Sequence, residues 1–158
     1  MSAVFEEQPD ELLRWVTFRL ADEGYGINVM QVQEVLRITD VAPVPGAPHF
    51  VLGIINLRGN VVTVLDMRKL LGLMPGEVTE QSRIMVIESG KVTVGLLVDS
   101  VAEVVNINAS QIDPAPSVGN DDSSRYIQGV FSREDQILIL IDLNKLISEE
   151  DRDAISMF

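Results

Sequence analysis

The sequence predicts an all-β protein with short helices, built as two small closed barrels packed side by side. Three observations carry that reading. Short runs rich in β-branched and aromatic residues alternate with Gly, Pro, Asn and Asp clusters along most of the chain. The same order of elements occurs twice, which marks an internal pseudo-twofold repeat. With 158 residues and no cysteine, the chain is long enough to bury a core without disulfides or thiolate-bound metal. Each unit of about 60–70 residues would be marginal alone, so the two should share an apolar interface. Closure of each unit removes strand edges that invite aggregation. The expected domain covers residues 15–148, with one barrel over about 15–80 and the next over about 81–148. Residues 1–14 read as an N-terminal tail and 149–158 as a helical C-terminal tail.

Trp15–Leu20 is a strand by composition, and Ala21-Asp22-Glu23-Gly24 turns it back into Tyr25–Val29, a hairpin. Asn28 is placed to cap a helical turn through Gln31-Val32-Gln33-Glu34, before Val35–Ile38 extends again. The connector Val44-Pro45-Gly46-Ala47-Pro48 excludes helix and central strand. Val51–Leu57 reads as a buried strand and Val61–Leu65 as a continuous apolar one, joined by a turn at Arg58-Gly59-Asn60. Asp66 then caps a single helical turn that ends at Gly72. Residues 74–81 form a linker. Further strands are expected at Arg83–Ile87, Val92–Val98, Glu103–Ile107, Tyr126–Phe131 and Gln136–Ile141, with a long loop from Asp113 to Ser124. Ser148-Glu149-Glu150-Asp151 opens a short C-terminal helix towards Ile155–Phe158.

The repeat is visible residue by residue. Residues 50–72 lie over 126–148 without a gap, so that Gly53 meets Gly129, Asp66 meets Asp142 and Lys69 meets Lys145. Residues 26–38 lie over 95–107, matching Gly26 with Gly95, Val32 with Val101 and Glu34 with Glu103. Both connectors contain Pro-x-Pro, at Pro43–Pro45 and Pro114–Pro116. The groove between the barrels is the natural binding surface, lined from both sides by equivalent positions.

Charge and motifs narrow the function. Twelve basic residues against twenty-four acidic ones give a net charge of −12. That disfavours binding to a phosphate backbone or an anionic membrane. A hydrophobic content of 46% is too high for disorder. No apolar run approaches the roughly 18 residues of a membrane span, and the acidic start lacks the form of a secretion signal. The expectation is a cytoplasmic protein without membrane insertion. The single histidine, His49, sits in a loop, and phosphate-loop, dinucleotide, nucleophile-elbow and zinc-protease signatures are absent. Neither a metal nor a cofactor is expected. Asp66 and Asp142 resemble a carboxylate pair, but their positions before helical turns make them caps. Met67, Met74 and Met85 read as core filler.

Arg58 stands out because its repeat equivalent is Glu134. Fold requirements should be shared by both halves, so a charge reversal suggests that one copy has a task. Glu34 and Glu103 each follow a valine at two residues' spacing. They are either solvent-facing strand ends or the polar rim of a groove floored by Val32 and Val101.

The run VMQVQEVLRI…VPGAPHFVLGIINLRGNVVTVLDMRKLLG, continued in VGLLVDSVAEV, IDPAP, YIQGV and ILILIDLNKLI, resembles the CheW family of chemotaxis coupling proteins. The likeness spans roughly residues 15–148, with Gly53, Asn56-Leu57-Arg58-Gly59 and Asp66-x-Arg68 as its specific signature. The same domain type occurs in the histidine kinase CheA and in receiver-containing coupling proteins, but no ATPase motif or receiver domain is found here. The resemblance implies a non-enzymatic adaptor with two SH3-like five-stranded β-barrels. It implies three partners: the regulatory domain of CheA, the cytoplasmic tips of chemoreceptors, and other coupling-protein copies in rings. Receptor tips are helical, so recognition is helix-in-groove. By motif match, Val32, Glu34, Arg58, Gly95 and Val101 contact the receptor or shape its groove, and Gly53 supports the groove through close backbone approach. Val41, Val44, Ile112, Asp113 and Val118 are candidates for kinase and ring contacts. The alternative is a β-barrel that binds single-stranded nucleic acid. The acidic charge and an aromatic content of only 5% oppose it.

Overall fold

Hairpin turns with positive φ start the architecture. Ala21 and Asp22, at φ 50° and 69°, join β1 (Leu12–Leu20) to β2 (Glu23–Asn28). Arg58 and Gly59, at 51° and 88°, join β4 (Val51–Leu57) to β5 (Asn60–Asp66). Such mirror-image turns match the twist of the strands they connect. The structure, a computed structural model, describes residues 10–114, 125–147 and 155. Its other strands are β3 (Val32–Arg37), β6 (Arg83–Ser89), β7 (Val92–Val98), β8 (Ser100–Asn108), β9 (Ile127–Arg133) and β10 (Gln136–Ile141). Two single-turn helices, α1 (Met67–Leu70) and α2 (Leu143–Leu146), begin at Asp66 and Asp142. Each aspartate accepts a hydrogen bond at 3.0 Å from the second helical N–H, that of Arg68 or Asn144. Both are caps, as the spacing predicts.

Asn28 is also a cap, with Oδ1 accepting from Met30 N at 2.9 Å. The turn it opens is a 3-10 turn over Val29–Gln31, earlier than expected, and Val32 and Glu34 lie on β3. Two β-branched residues in the next four favour extension, and the strand wins. Most of the expected 113–124 loop and the C-terminal tail lie outside the described residues, except Ile155, which is helical and buried.

The strands form two five-stranded sheets, ordered β3-β6-β7-β5-β4 and β8-β1-β2-β10-β9. This arrangement corrects the expected division near residue 80. Strands β3 to β7 make one sheet, and β1, β2, β8, β9 and β10 make the other. Each sheet takes its hairpin from one repeat and its remaining three strands from the other. Parallel pairing of β5 with β7, and of β10 with β2, joins the two contributions.

Each sheet rolls until its edges meet. The edge strands do not pair along their length. Instead Ala42, just beyond β3, exchanges two backbone hydrogen bonds with Ile54 of β4, at 2.9 and 2.8 Å. Asp113, beyond β8, does the same with Val130 of β9, both at 2.8 Å.

Three apolar clusters result. Ile55, Val62, Val64 and Ile84 fill the first roll, with Leu36 and Val41 packed against them. Trp15, Ile107 and Leu140 fill the second, with Val105, Ile112 and Phe131. The largest cluster lies between the sheets and draws on both, including Phe18, Tyr25 and Ile27 from one and Met85, Ile87 and Leu96 from the other. Hydrophobic burial over this shared face is the dominant force holding the sheets together.

Candidate functional site

Val32 opens β3 and Val101 is the second residue of β8, close after the two places where the chain passes from one sheet to the other. Val32 pairs with Ile87 and Val101 with Phe18, and both valines are half-buried against the shared cluster. The site therefore has one valine from each sheet at equivalent positions.

Glu34 and Arg58 are brought together. Arg58 Nη1 donates to Glu34 Oε1 at 3.2 Å and Nη2 donates to Oε2, a two-pronged ion pair. The turn that carries Arg58 is fixed by Gly59 N, which donates to Asn56 Oδ1 at 2.9 Å. The guanidinium's hydrogen bond holds the Glu34 carboxyl below the usual carboxylate range, against the opposing effect of desolvation and with the guanidinium's charge as a lesser support. β3 and β4 are the two edges of the first sheet. The pair thus spans the seam that Ala42 closes.

The second sheet has a counterpart. Arg133, the last residue of β9, lies 3.6 Å from Glu103 of β8, with both side chains more than half exposed. Thr17 Oγ1 accepts from Glu103 N at 3.1 Å and donates to its carbonyl at 2.9 Å, which fixes that glutamate's backbone. This corrects the inference from the Arg58/Glu134 reversal. The second half keeps its seam cation one position earlier, at Arg133, so the reversal alone does not mark a specialised copy. What differs is the grip: Arg58 is bidentate, and Arg133 is loose.

Gly53 and Gly95 offer close backbone approach rather than exposed surface. Both are buried. A Cβ on Gly53, at φ 155°, would run into the carbonyl oxygen of Ala42, so glycine is what allows the seam to close. Its repeat equivalent Gly129 stands in the same relation to Ile112 and to the Asp113 carbonyl, 2.9 Å from a Cβ placed there. A Cβ on Gly95 would meet Ile84 Cγ2 at 2.7 Å inside the first roll. Val41 and Ile112, expected as partner contacts, are half-buried and pack into the interiors of the first and second rolls. Val44 is half-buried on the connector, Asp113 is exposed, and Val118 lies outside the described residues.

A pocket of about 340 Å³ opens at the end of the second roll, lined by Thr17, Glu103, Val105, Phe131, Arg133 and Leu138 among others. It includes neither Val32 nor Val101. No cluster of three metal-ligating side chains occurs among the described residues. No helix among them is long and apolar enough to cross a membrane.

The pair Arg68–Asp99 was missed as a pair. Arg68 belongs to the signature Asp66-x-Arg68, but nothing in its spacing points to a partner 31 residues away. Arg68 Nε donates to Asp99 Oδ1 at 3.0 Å and Nη2 donates to Oδ2.

The profile of the CheW-like domain matches residues 14–151. The chain belongs to the CheW-like domain family. Among relatives, the chemotaxis protein CheW of Rhizobium meliloti is 34% identical over 139 residues, covering 88% of this chain and 90% of that one. The Bacillus subtilis CheW is 32% identical over 137 residues, covering 87% and 88%. The crystal structure of the scaffolding protein TtCheW from Thermoanaerobacter tengcongensis superposes with a TM-score of 0.79 at 32% identity, covering 93% of this chain and 95% of that one. The chain is a CheW-type coupling adaptor of chemotaxis, and CheW-family proteins are scaffolds rather than enzymes. The nucleic-acid-binding alternative finds no support in these relatives.

Proposed function

We propose that this CheW-family chain binds the helical tips of chemoreceptors between its two sheets and the regulatory domain of the histidine kinase CheA through the end of a roll. The observation that carries the receptor half is the placement of Val32 and Val101, one per sheet, at equivalent positions over the shared core. Two apolar walls suit the apolar stripe of a helix. The Arg58–Glu34 pair beside Val32 supplies a rigid polar rim. For the kinase and for further copies in rings, the support is a set of exposed apolar residues at matching places: Val35 and Val61 on the first sheet, Val104 and Ile137 on the second. Val44 and Asp113 belong to the connectors beside them. The adaptor acts in the cytoplasm within receptor clusters. Its contribution is a coupling free energy between two binding sites, typically about 1–3 kcal/mol. Co-sedimentation with receptor fragments and CheA, with kinase activity measured in the same tube, tests this reading. Pull-down of both partners with receptor-dependent activation is expected; failure to bind receptor fragments would overturn the groove.

A further inference from the structure

The polypeptide passes between the sheets twice. The β2-to-β3 passage runs through the 3-10 turn Val29–Gln31. The β7-to-β8 passage is a single residue, Asp99. Every polar group of Asp99 with a partner in the structure ties the sheets to each other. Its N–H donates to Arg19 O at 3.1 Å, and its Oδ2 accepts from Ala21 N at 2.9 Å, both in the second sheet's first hairpin. From the other side, the Arg68 guanidinium of the first sheet's α1 binds both carboxylate oxygens.

Arg68 is itself held. Its Nη1 donates to Met74 O at 3.1 Å, and its carbonyl accepts from Leu73 N at 2.8 Å. Gly76 lies so close to the guanidinium that a Cβ there would collide with it. The side chains of Arg68 and Asp99 are only 18% and 32% exposed, so the pair is screened less than a surface bridge. The charged pair is one-sided. At the repeat equivalents stand Asn144 for Arg68 and Met30 for Asp99; Met30 is exposed, and Asn144 reaches the first sheet through a neutral bond, its Oδ1 accepting from Ser89 Oγ at 3.3 Å.

We propose that Arg68 and Asp99 form a latch that fixes the angle between the two sheets. Through that angle the latch sets the receptor groove; this second step rests on the groove reading above. Val101 lies two residues beyond Asp99, so movement of Asp99 against α1 carries one wall of the groove with it. Arg68 is a positioning residue: it acts through Asp99 and touches no partner.

The absence of cysteine allows two nitroxide labels to be placed at will. Lys91→Cys, in the β6–β7 turn, and Asp135→Cys, in the β9–β10 turn, report the distance between the sheets by pulsed electron paramagnetic resonance. A narrow distance distribution is expected in the parent. Arg68→Gln and Asp99→Asn should each broaden or shift it, and the double variant should do no more than either single one. Arg68→Lys, which keeps the charge and loses the fork, should lie between. Melting followed by the fluorescence of Trp15 confirms that each variant is folded, and Arg68→Lys carries the test if Arg68→Gln is not. Receptor-fragment binding should weaken about tenfold in Arg68→Gln, with kinase-domain binding unchanged. An unchanged distance distribution in folded Arg68→Gln would overturn the latch. A changed distribution with receptor binding intact would keep the latch and overturn the groove reading.

Discussion

Arg58 and Glu34 face each other across a seam, and the arginine reaches it from a turn in which its own backbone takes φ 51°. An L-residue is rarely found there, and the neighbouring Gly59 completes the turn. The guanidinium is thus aimed by the backbone before any partner arrives.

Arg58→Glu should abolish receptor-dependent kinase activation, because it sets two carboxylates against each other at the rim. The melting temperature should stay within about 4 °C of the parent, as for an exposed pair. Arg58→Lys should be intermediate. The exchange Arg58→Glu with Glu34→Arg separates the two roles of the pair. Recovered activation would show that the bridge suffices, whereas continued loss would show that the arginine itself meets the receptor. Coupled kinase assays on purified variants provide the measurement.

Val32→Asp or Val101→Asp should weaken receptor-fragment binding more than kinase binding. A carboxylate placed against an apolar helix is left unpaired, which costs several-fold to many-fold in affinity. Parallel titrations with the two partners decide it. Equal losses in folded protein would place these valines outside the groove.

Gly53→Ala should destabilise the fold by at least about 3 kcal/mol, lowering the melting temperature by about 6–12 °C. The added methyl meets the Ala42 carbonyl, which cannot move without opening the seam. Gly129→Ala should act alike on the second roll. Gly46→Ala, also at positive φ but with nothing within 4 Å of its Cβ, should cost only about 1 kcal/mol. Thermal melts of the three variants rank the effects.

The acid side of the stability curve should depend on Asp99. Its carboxyl is held below the usual range, first by the hydrogen bond from Arg68 and also by Ala21 N–H, against burial. The stabilisation is therefore fully present above about pH 4 and is lost as pH falls through the lowered folded value. Asp99→Asn removes it. The parent should lose more melting temperature than Asp99→Asn as pH falls below about 4. Glu34, whose carboxyl is also held low, stands away from the pair in both proteins and cancels in the difference.

Several elements were legible because their signals are local. Val51–Leu57, Val92–Val98 and Gln136–Ile141 run where composition places them, and Asp66 and Asp142 cap where their spacing says. The pairing of Gly53 with Gly129 was also visible, but its meaning was not. Sequence alignment shows that two glycines correspond; only the path of Ala42 and Asp113 shows what each makes room for. Sheet membership was misread for the same reason. Residues 15–80 hold a complete set of strands in order, and nothing local tells β2 to leave its own repeat. Arg68 and Asp99 meet only because α1 folds back beside that passage.

The crossing of the two repeats also bears on descent. One repeat alone carries a hairpin lacking three neighbours and three strands lacking a hairpin. Two separate copies of such a half would complete each other reciprocally, giving a symmetric homodimer with two identical walls around one cleft. Fusing the halves into one chain ends that constraint. Each wall then changes independently, and residues such as Arg68, matched by Asn144, or Arg58, matched by Glu134, become possible on one side only. A partner that presents unlike faces to the two walls requires that asymmetry, which a dimer of identical halves has no means to offer.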